Sequence, residues 1–546
     1  MGDRRSTPRI LPVGEHALLV ELPDLAATLG FFDEVRAAAL DGVIEAVPAA
    51  RTVLVKYAPH AVSYADLAAR LARLDAADGA SSGGRLVEIP VHYDGADLAD
   101  LAGLLGVSAD ELVRRHRGSE YRVAFGGFAP GFAYLSGGDP LLDVPRRATP
   151  RTRIPAGAVG LAGTFSGVYP RESPGGWQLI GHTDMVMWDL DRTPPATLQP
   201  GDRVRFLDAG PARAAVVRAA APSDTVTPRR VVDHSGPALE VLRPGAQAVL
   251  QDEGRVGVAG LGVTGSGALD RPALHAANRL VGNGPGEAVI EFAQGGEVGA
   301  HGEVVVAVTG ARAELRLTRR SGRVDMIAGP SPIALGNGER LAIVPDQGLR
   351  NYMAVRGGFD VPAVLGSRAS DTMSGIGPAP LTMGSVLGVR TTNSVPLPPV
   401  GDPEPWPADR LPADVVELPV VLGPRDDWFT PHALDVLFTQ PWQVTRHSNR
   451  VGLRLAGDVP LERAITAELP SEGVVPGAVQ VPASGQPVLF LADHPVTGGY
   501  PVIAVLTTRA LAVAGQLAPG AVIRFAPAGD SLTPRLVRTP TPLELS

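Results

Sequence analysis

The sequence predicts a mainly β protein with some α/β structure. Three observations support this prediction: short runs of β-branched residues recur along the chain, glycine and proline separate them, and few segments have helical periodicity. Of the 546 residues, 65 are glycine and 52 are proline, which indicates many turns between short strands. Short strands at such close spacing are typical of β-barrels and β-sandwiches.

The strand-like runs include RTVLVKY, RLVEIPVHY, EVVVAVTG, ERLAIVP and PVLFLAD. Three further segments are predicted as helices. Residues 64–77 place apolar side chains about 3.6 positions apart. SADELVRRHRG begins with Ser108 and has Glu111 three residues later, which is a capping box. DRPALHAANRLVG begins at Asp270 and ends at Gly282.

An internal sequence repeat predicts two related barrels. The first half contains IPAGAVGL, SPGGWQLIGHT and LQPGDRVRF, and the last part contains VVPGAVQV, VTGGYPVIAVL and LAPGAVIRF. Both sets have the same order and the same pattern of glycine, aromatic and arginine positions. We therefore predict two related β-barrel domains, one near each end of the chain.

Changes in composition along the chain divide it into five predicted parts. GASSGG at 79–84, AAAPSDTVTPRR at 219–230 and a proline-rich segment at 396–412 are the boundaries. The predicted parts are a small N-terminal α/β subdomain at 1–84, a β-barrel at 85–218, a linker at 219–237, a β-rich subdomain at 238–395 and a second β-barrel at 396–530.

The composition excludes several classes of function. The net charge of −8 argues against nucleic-acid binding, and the absence of cysteine excludes disulfides, thiolate zinc sites and cysteine nucleophiles. No apolar run reaches the length of a membrane span, and no signal peptide is recognisable, so we expect a cytoplasmic protein. Lys56 is the only lysine, so there is neither a phosphate-binding Gly-Lys-Ser/Thr loop nor a biotin-attachment lysine.

The segment FGGFAPGFAYL, at 125–135, concentrates aromatic rings around glycine and proline in a chain that is only 5% aromatic. Two interpretations are open: the rings fill the end of a barrel, or they wall a small-ligand pocket with exposed amide groups. On the second interpretation, the candidate substrate-binding residues are Phe128, Pro130, Gly131, Phe132 and Tyr134. GLGVTG at 260–265 is interpreted as a packing or substrate-facing glycine loop rather than a dinucleotide site, because no βαβ unit follows it.

Two more stretches of the first half carry polar candidates. TFSGVYPRESPGGW contributes Ser166, Tyr169 and Glu172 as candidate substrate-binding residues. IGHTDMVMWD places His182 and Asp184 two positions apart, on one face if the segment is extended. His182 is either a general acid/base or a surface histidine.

The second half has its own polar groups at strand ends and glycine turns. The catalytic candidates there are Asn449 and Asp493. The substrate-binding candidates are Arg356, Glu472, Gln480, Thr497 and Tyr500. His447 and His494 lack the spacing of a metal site, so no metal is predicted.

At these residues the sequence resembles two known families. FGGFAPGFAYLSGGDP, PRRATPRTRIPAGAVGLAGTFSGVYPRESPGGWQLIGHT and LQPGDRVRF resemble the allophanate hydrolase subunit 1 / KipI family. LRPGAQAVLQDEGRVGVAGLGVTGSGALDRPALHAANRLVGN, NYMAVRGGFDVPAVLGSRASDT, SNRVGLRL and LPSEGVVPGAVQVPASGQPVLFLADHPVTGGYP resemble the subunit 2 / KipA family. Their order is that of the fused B and C subunits of 5-oxoprolinase, and of the carboxyltransferase region of urea carboxylase.

The resemblance implies cyclophilin-like β-barrels. It also implies a component of a 5-oxoprolinase that opens the lactam of 5-oxo-L-proline to L-glutamate. The implied partner is the LamB/YcsF-type third subunit of that enzyme. The implied substrate is a small amide, and ATP with Mg²⁺ is used by the complex at a site that the sequence does not locate. Self-association into a homo-oligomer is left open.

Two alternatives remain at this stage. One is a carboxyltransferase component that acts with separate biotin-bearing proteins, since this chain has no biotin-attachment lysine. The other is a KipI/KipA-like regulator that binds a histidine kinase.

Overall fold

The computed structural model describes residues 8–74, 84–147, 149, 151–210, 236–390, 397–406 and 414–529. The predicted domain boundary at 79–84 and the predicted linker at 219–237 lie almost wholly outside the described residues. The predicted proline-rich connector is described only at 397–406. Within the described ranges, no helix is both long and apolar enough to cross a membrane.

The N-terminal domain is a four-stranded antiparallel sheet with two helices. Its elements are β1 Arg9–Val13, β2 Ala17–Glu21, α1 Leu25–Ala38, β3 Val43–Pro48, β4 Thr52–Tyr57 and α2 Tyr64–Leu71. The strand order is β1-β2-β4-β3. Ser63 caps α2 by accepting a hydrogen bond from the Asp66 amide at 3.1 Å, and this helix confirms the first part of the one predicted at 64–77.

The next domain is a seven-stranded sheet, with two helices between its first two strands. Its elements are β5 Leu86–Val91, α3 Leu98–Leu105, α4 Ala109–Gly118, β6 Glu120–Gly126, β7 Ala133–Ser136, β8 Arg151–Ile154, β9 Ala158–Ala162, β10 Phe165–Val168, β11 Ser173–Gly175, β12 Gln178–His182 and β13 Arg203–Asp208. Strands β8 and β11 form a separate pair. Ser108 caps α4 as predicted, accepting from the Glu111 amide at 3.1 Å.

The middle domain is a nine-stranded sheet covered by one helix. Its elements are β14 Ala238–Arg243, β15 Gln247–Gln251, α5 Arg271–Leu280, β16 Val289–Ala293, β17 Gly296–His301, β18 Val304–Thr318, β19 Val324–Ile327, β20 Ile333–Leu335, β21 Arg340–Val355 and β22 Val386–Gly388. Asp270 caps α5, accepting from the Ala273 amide at 3.1 Å, as its position before Pro272 predicts.

The last domain is a closed seven-stranded barrel. Its elements are β23 Val416–Leu422, α6 Pro431–Thr439, β24 Trp442–Val444, β25 Gly452–Ala456, β26 Glu472–Gly473, β27 Ala478–Gln480, β28 Val488–Phe490, β29 Thr497–Gly498, β30 Val502–Leu506, α7 Thr508–Ala514 and β31 Val522–Pro527. Strands β26 and β29 pair outside the barrel.

The internal sequence repeat corresponds to a repeated strand topology. The first sheet has the order β12-β9-β10-β7-β6-β13-β5, and the barrel has the order β30-β27-β28-β25-β24-β31-β23, which matches it strand for strand. In both domains the first and last strands in the chain pair in parallel. A bridge between His92 and His182 brings the open edges of the first sheet together, so this sheet is a first barrel that is nearly closed.

The N-terminal sheet packs against the second barrel through one of its faces. Leu11, Leu19 and Leu54 share a buried apolar cluster with Ala478 and Val505. The opposite face of the same sheet packs under its own helices. This alternation of two buried faces accounts for the nearly continuous apolar run of β2 and β4.

We predict that Gly126→Ala destabilises the contact between the two halves. A Cβ at Gly126 would overlap the backbone oxygen of Gly260, and backbone cannot move aside as a flexible side chain can. Overpacking of this kind costs about 1–3 kcal/mol, so the first thermal unfolding transition should fall by several degrees. Gly103→Ala is the matched control, because its Cβ would meet nothing within 4 Å. A Gly126→Ala protein that unfolds at the wild-type temperature would contradict this packing.

Candidate functional site

The loop at 125–132 is where the first barrel meets the second half of the chain. The Gly131 amide donates to the Leu261 oxygen at 3.0 Å, and the Phe128 amide donates to Thr497 Oγ1 at 3.3 Å. Gly262 lies so close to the Ala129 oxygen that no Cβ would fit. The glycines of both loops have no side chain, so the two backbones can come into direct contact. The glycine loops predicted at 125–135 and 260–265 therefore pack against each other.

The rings of this segment form one buried aromatic cluster. Phe132 contacts Trp177 edge to face at 5.2 Å between ring centroids, and Phe125 stacks on Tyr134 at 4.4 Å. Tyr169 joins the same cluster and is 1% exposed.

Tyr134 lies between Ala133 and Leu135, which belong to the core of the first barrel, so the rings are on the outer face of this sheet. There Leu25 and Leu29 of α1 pack against them. The interpretation that they fill the end of the barrel is therefore wrong. Between the loop and the middle domain there is a cavity of only about 10 Å³, which has room for about one water molecule.

Three side-chain hydroxyls line the contact between the two barrels. The Tyr134 hydroxyl lies beside the side chains of Ser471 and Thr497, and burial raises the pKa of Tyr134 above its ordinary value, so the phenol is neutral. The Ser471 carbonyl also accepts from the Ala50 amide at 3.2 Å. We call this contact, made by the loop at 125–132 together with Tyr134, Ser471 and Thr497, the inter-barrel seam.

A cavity of about 210 Å³ opens beside the inter-barrel seam, between the N-terminal domain and the second barrel. We call it the seam cavity. It is lined by Glu21, Arg51, Thr52, Arg425, Trp428, Ile465, Ala467, Glu468, Leu469, Pro470, Ser471 and Glu472. A largely apolar cavity with a few convergent polar groups is the usual form of a small-molecule site. The seam cavity is therefore the candidate functional site.

The polar end of the seam cavity holds a buried ion pair. Arg425 Nε lies 3.0 Å from Glu472 Oε1, and Arg425 Nη1 reaches Glu21 at 3.4 Å. Burial raises the pKa of Glu472, and Arg425 opposes that shift without cancelling it. Burial alone would lower the pKa of Arg425, but the facing carboxylates raise it overall, so this guanidinium stays charged. Glu472 is thus a carboxyl group in the seam cavity that holds a proton more readily than an exposed glutamate does.

Two polar atoms on the opposite wall of the cavity lack protein partners among the described residues. They are the hydroxyl of Thr52, a residue only 1% exposed, and the buried Nε of Arg51. Leaving a buried polar group unpaired costs about 1–3 kcal/mol. Neither residue was among the candidates from the sequence, where Arg51 simply precedes a strand.

A second polar cluster lies where the middle domain meets the second barrel. Arg450 Nε donates to Asp493 at 3.1 Å, and Asp493 also accepts from Ser266 Oγ and Thr372 Oγ1, each at 2.6 Å. Burial alone would raise the pKa of Asp493, but Arg450 brings it below its ordinary value.

Asp371 lies beside this cluster. Burial and the charge of Asp493 raise the pKa of Asp371. Two buried guanidinium atoms near Asp371, Arg171 Nε and Arg255 Nη1, have no partner among the described residues. Asp493, a predicted catalytic residue, therefore lies in a network that joins two domains rather than on the wall of the seam cavity.

The remaining candidates of the first barrel lie away from the seam cavity. His182 Nδ1 is bonded to Asp94 at 2.7 Å and its ring stacks on His92, while Asp184 is exposed beyond the end of β12. Ser166 is buried in the barrel core, 2.9 Å from a histidine, His116, whose pKa burial lowers to about 3.

Other candidates have local structural partners. Glu172 is exposed and pairs with Arg153 at 2.6 Å. Asn449 Oδ1 accepts from the Val451 amide at 2.9 Å in a turn, and Arg356 donates to backbone oxygens, including that of Pro398 at 2.8 Å.

The structure brings together predicted residues from both halves at the inter-barrel seam and the seam cavity. Phe128, Phe132, Tyr134 and Tyr169 come from the first half, and Glu472 and Thr497 come from the second. Pro130 and Gly131 are buried in the seam. Gln480 Nε2 donates to the Tyr500 oxygen at 3.0 Å, which places both residues next to β29. Of these predicted residues only Glu472 lines the seam cavity, and the first half reaches the cavity through Glu21, Arg51 and Thr52 of the N-terminal domain.

Comparison with known proteins agrees with this arrangement. Residues 8–198 match the family model of the carboxyltransferase domain, subdomains C and D, and residues 261–527 match that of subdomains A and B. The chain belongs to the carboxyltransferase-domain family. Within it, this chain carries in a single polypeptide the counterparts of the B and C subunits of 5-oxoprolinase.

The individual relatives support both parts of that statement. The 5-oxoprolinase B subunit of Escherichia coli O157:H7 is 40% identical over 204 residues, covering 36% of this chain and 93% of that protein. The 5-oxoprolinase C subunit of E. coli K12 is 36% identical over 300 residues, covering 53% of this chain and 90% of that protein. Urea amidolyase of Lachancea kluyveri is 34% identical over 321 residues, covering 54% of this chain but 17% of that protein.

A solved structure shares the whole architecture. The crystal structure of TTHA0988 in space group P6522 is 35% identical, with a TM-score of 0.78, and the match covers 94% of this chain and 100% of that one. The arrangement of four domains therefore has a crystallographic counterpart.

We predict that Asp371→Asn stabilises the protein at neutral pH. The folded-state pKa of Asp371 is raised, so folding favours the neutral carboxyl, and that contribution is lost as pH rises through the folded pKa. Each unit of difference from the unfolded pKa is worth about 1.4 kcal/mol. The variant should melt at a higher temperature than wild type at pH 7, and the difference should disappear as pH falls below about 4. The exposed Asp458→Asn is the control, and a pH-independent offset for Asp371→Asn would contradict the prediction.

Proposed function

We propose that this chain is the part of an ATP-dependent 5-oxoprolinase that corresponds to its B and C subunits. Together with a LamB/YcsF-type protein, it would open the lactam of 5-oxo-L-proline to L-glutamate in the cytoplasm. The observation that supports this most directly is the succession of two matches, one covering 93% of a B subunit and the other 90% of a C subunit. The counterparts of the B and C subunits meet at the inter-barrel seam, so both can contribute to one site there.

In this proposal the seam cavity binds the lactam. Its volume of about 210 Å³ is below the roughly 300–1,000 Å³ of sites for drug-sized ligands, so a small metabolite suits it. Trp428, Ile465 and Leu469 offer apolar surface to the ring methylenes. The Ser471 hydroxyl, which lies beside that of Tyr134, offers a donor to the lactam oxygen.

Glu472 has the properties of the proton carrier that the reaction needs. In net terms, the oxygen of water bonds to the lactam carbonyl carbon, the carbon–nitrogen bond breaks, and the nitrogen takes a proton to become the amine of glutamate. Glu472 can accept a proton from the water and return one to the nitrogen, and burial raises the pKa of this carboxyl group above its ordinary value. Arg425 lies beside it, where it stabilises negative charge that develops on oxygen.

ATP supplies the driving force in this scheme, but no step on this chain is assigned to it. Among the described residues, no group of three or more histidine, aspartate or glutamate side chains is arranged to hold a metal ion. In this proposal the complex uses Mg-ATP, and its binding is assigned to no residue of this chain.

The defining experiment is glutamate release from 5-oxo-L-proline and Mg-ATP, measured for this protein with and without a purified LamB/YcsF-type partner. Release in the mixture alone supports the proposal. No release in either tube, with the partner shown to be folded and associated, refutes it.

Glu472→Gln should lower kcat in the mixture by about 10²–10⁴, because Gln keeps the shape and an acceptor but cannot carry the proton. The exposed Glu417→Gln on β23 is the matched control and should retain full turnover. The melting temperature and the association with the partner should be measured for both variants, so that a folding defect is recognised. Retained kcat in a folded Glu472→Gln protein would remove Glu472 from the mechanism.

A second candidate is a carboxyltransferase component of a biotin-dependent urea or amide carboxylase. The family models and the urea amidolyase relative favour it. This chain has one lysine, Lys56, which pairs with Glu45 at 2.9 Å, so a separate protein must carry the biotin. Transfer of labelled carboxyl groups to urea, in the presence of a biotin carboxylase and its carrier, would support this candidate over lactam opening.

A further inference from the structure

We infer that Arg51 and Thr52 make the seam cavity selective for amides that carry a carboxylate. This inference rests on the proposed function and deepens it, because it names the substrate class and the residues that select it. It also gives the N-terminal domain a part in the site, although the sequence placed every candidate in the barrels and the middle domain.

The backbone around the two residues is fixed. The Ala49 amide donates to the Thr52 oxygen at 2.9 Å, and the Leu22 amide donates to the Arg51 oxygen at 2.9 Å. The sheet that carries them is held on the second barrel by the apolar cluster of Leu19 and Leu54. Arg51 and Thr52 therefore meet the cavity from a rigid scaffold, which is what a recognition site requires.

Each charged side chain of the cavity lining other than Arg51 has an ion-pair partner. Arg425 faces Glu21 and Glu472, and Glu468 pairs with Arg146 at 3.2 Å. Arg51 has no ion-pair partner among the residues that the structure describes, and its Nε and the Thr52 hydroxyl are both buried without a partner. An arginine beside a hydroxyl is well suited to a carboxylate, because the guanidinium binds it in a planar geometry and the hydroxyl donates a further hydrogen bond.

The other walls suit the rest of such a ligand. Trp428, Ile465 and Leu469 lie on the wall contributed by the second barrel, and Ser471 and Glu472 lie where that wall meets the inter-barrel seam. A ligand with a carboxylate at Arg51 and an amide near Ser471 satisfies both polar regions at once. Urea has no carboxylate, so it leaves Arg51 and Thr52 unpaired. The same two residues therefore distinguish the two candidate functions.

The test compares three probes on the full chain by titration calorimetry: 5-oxo-L-proline, 2-pyrrolidinone, which is the same lactam without the carboxylate, and urea. We expect 5-oxo-L-proline to bind at least about tenfold more tightly than 2-pyrrolidinone. Arg51→Gln should abolish that preference by weakening only the binding of 5-oxo-L-proline. The exposed Arg454→Gln on the second barrel is the matched control and should leave all three affinities unchanged.

Thr52→Val provides a readout independent of folding defects. Valine has the shape of threonine without its unpaired hydroxyl, so this variant should melt at or above the wild-type temperature and still bind 5-oxo-L-proline less tightly. Equal affinity of wild type for the two lactams, no binding of 5-oxo-L-proline, or an unchanged preference in Arg51→Gln would overturn the inference.

The outcomes separate this inference from the proposed function. Carboxylate-selective binding without glutamate release in the mixture would support the inference and refute the proposed reaction. Glutamate release with the same KM in Arg51→Gln as in wild type would refute the inference and leave the reaction in place.

Discussion

The buried ion network of Arg450 is the interaction on which the rest of the architecture depends. Arg450 lies between Asp493, on its own barrel, and Glu291, on the middle domain, and it also donates to the Gly267 oxygen at 2.7 Å. Arg450 is 1% exposed, so its charge is stable only because these partners surround it. Asp493 begins the short segment that ends at Thr497, which accepts from the first barrel. One charge thereby fixes the middle domain, the second barrel and the inter-barrel seam together.

A second constraint is steric, and it explains where the glycine residues are used. The halves approach closely at Gly126, Gly127 and Gly262, where a Cβ would clash with an atom of the other half. Phe128 has a positive φ of 62°, which is strained for a residue with a side chain, and its amide is held by Thr497. Such a residue persists only when its surroundings enforce it. The seam is therefore a contact of fixed shape rather than a mobile hinge.

Much of the fold could be predicted from the sequence because its signals are local. The caps at Ser108 and Asp270 mark two helices correctly, and the repeated glycine and aromatic positions predict two related barrels, which prove to share one strand order. The site was predicted less completely. Nothing local in the sequence indicates that β4 docks on a barrel about 400 residues away, so Arg51 and Thr52 could not be recognised. Polar residues at turns, such as Asn449, are site candidates in the sequence because their chemistry is visible there while their local hydrogen bonds are not.

Joining the two halves in one chain has a physical consequence for a site of this kind. The seam cavity needs the N-terminal domain and the second barrel, which lie at opposite ends of the described chain. The E. coli relatives carry these parts as separate polypeptides, so their docking depends on the concentration of each. In a fused chain docking is intramolecular, and the effective concentration of one half near the other is set by the connection between them. Assembly of the cavity is then independent of dilution.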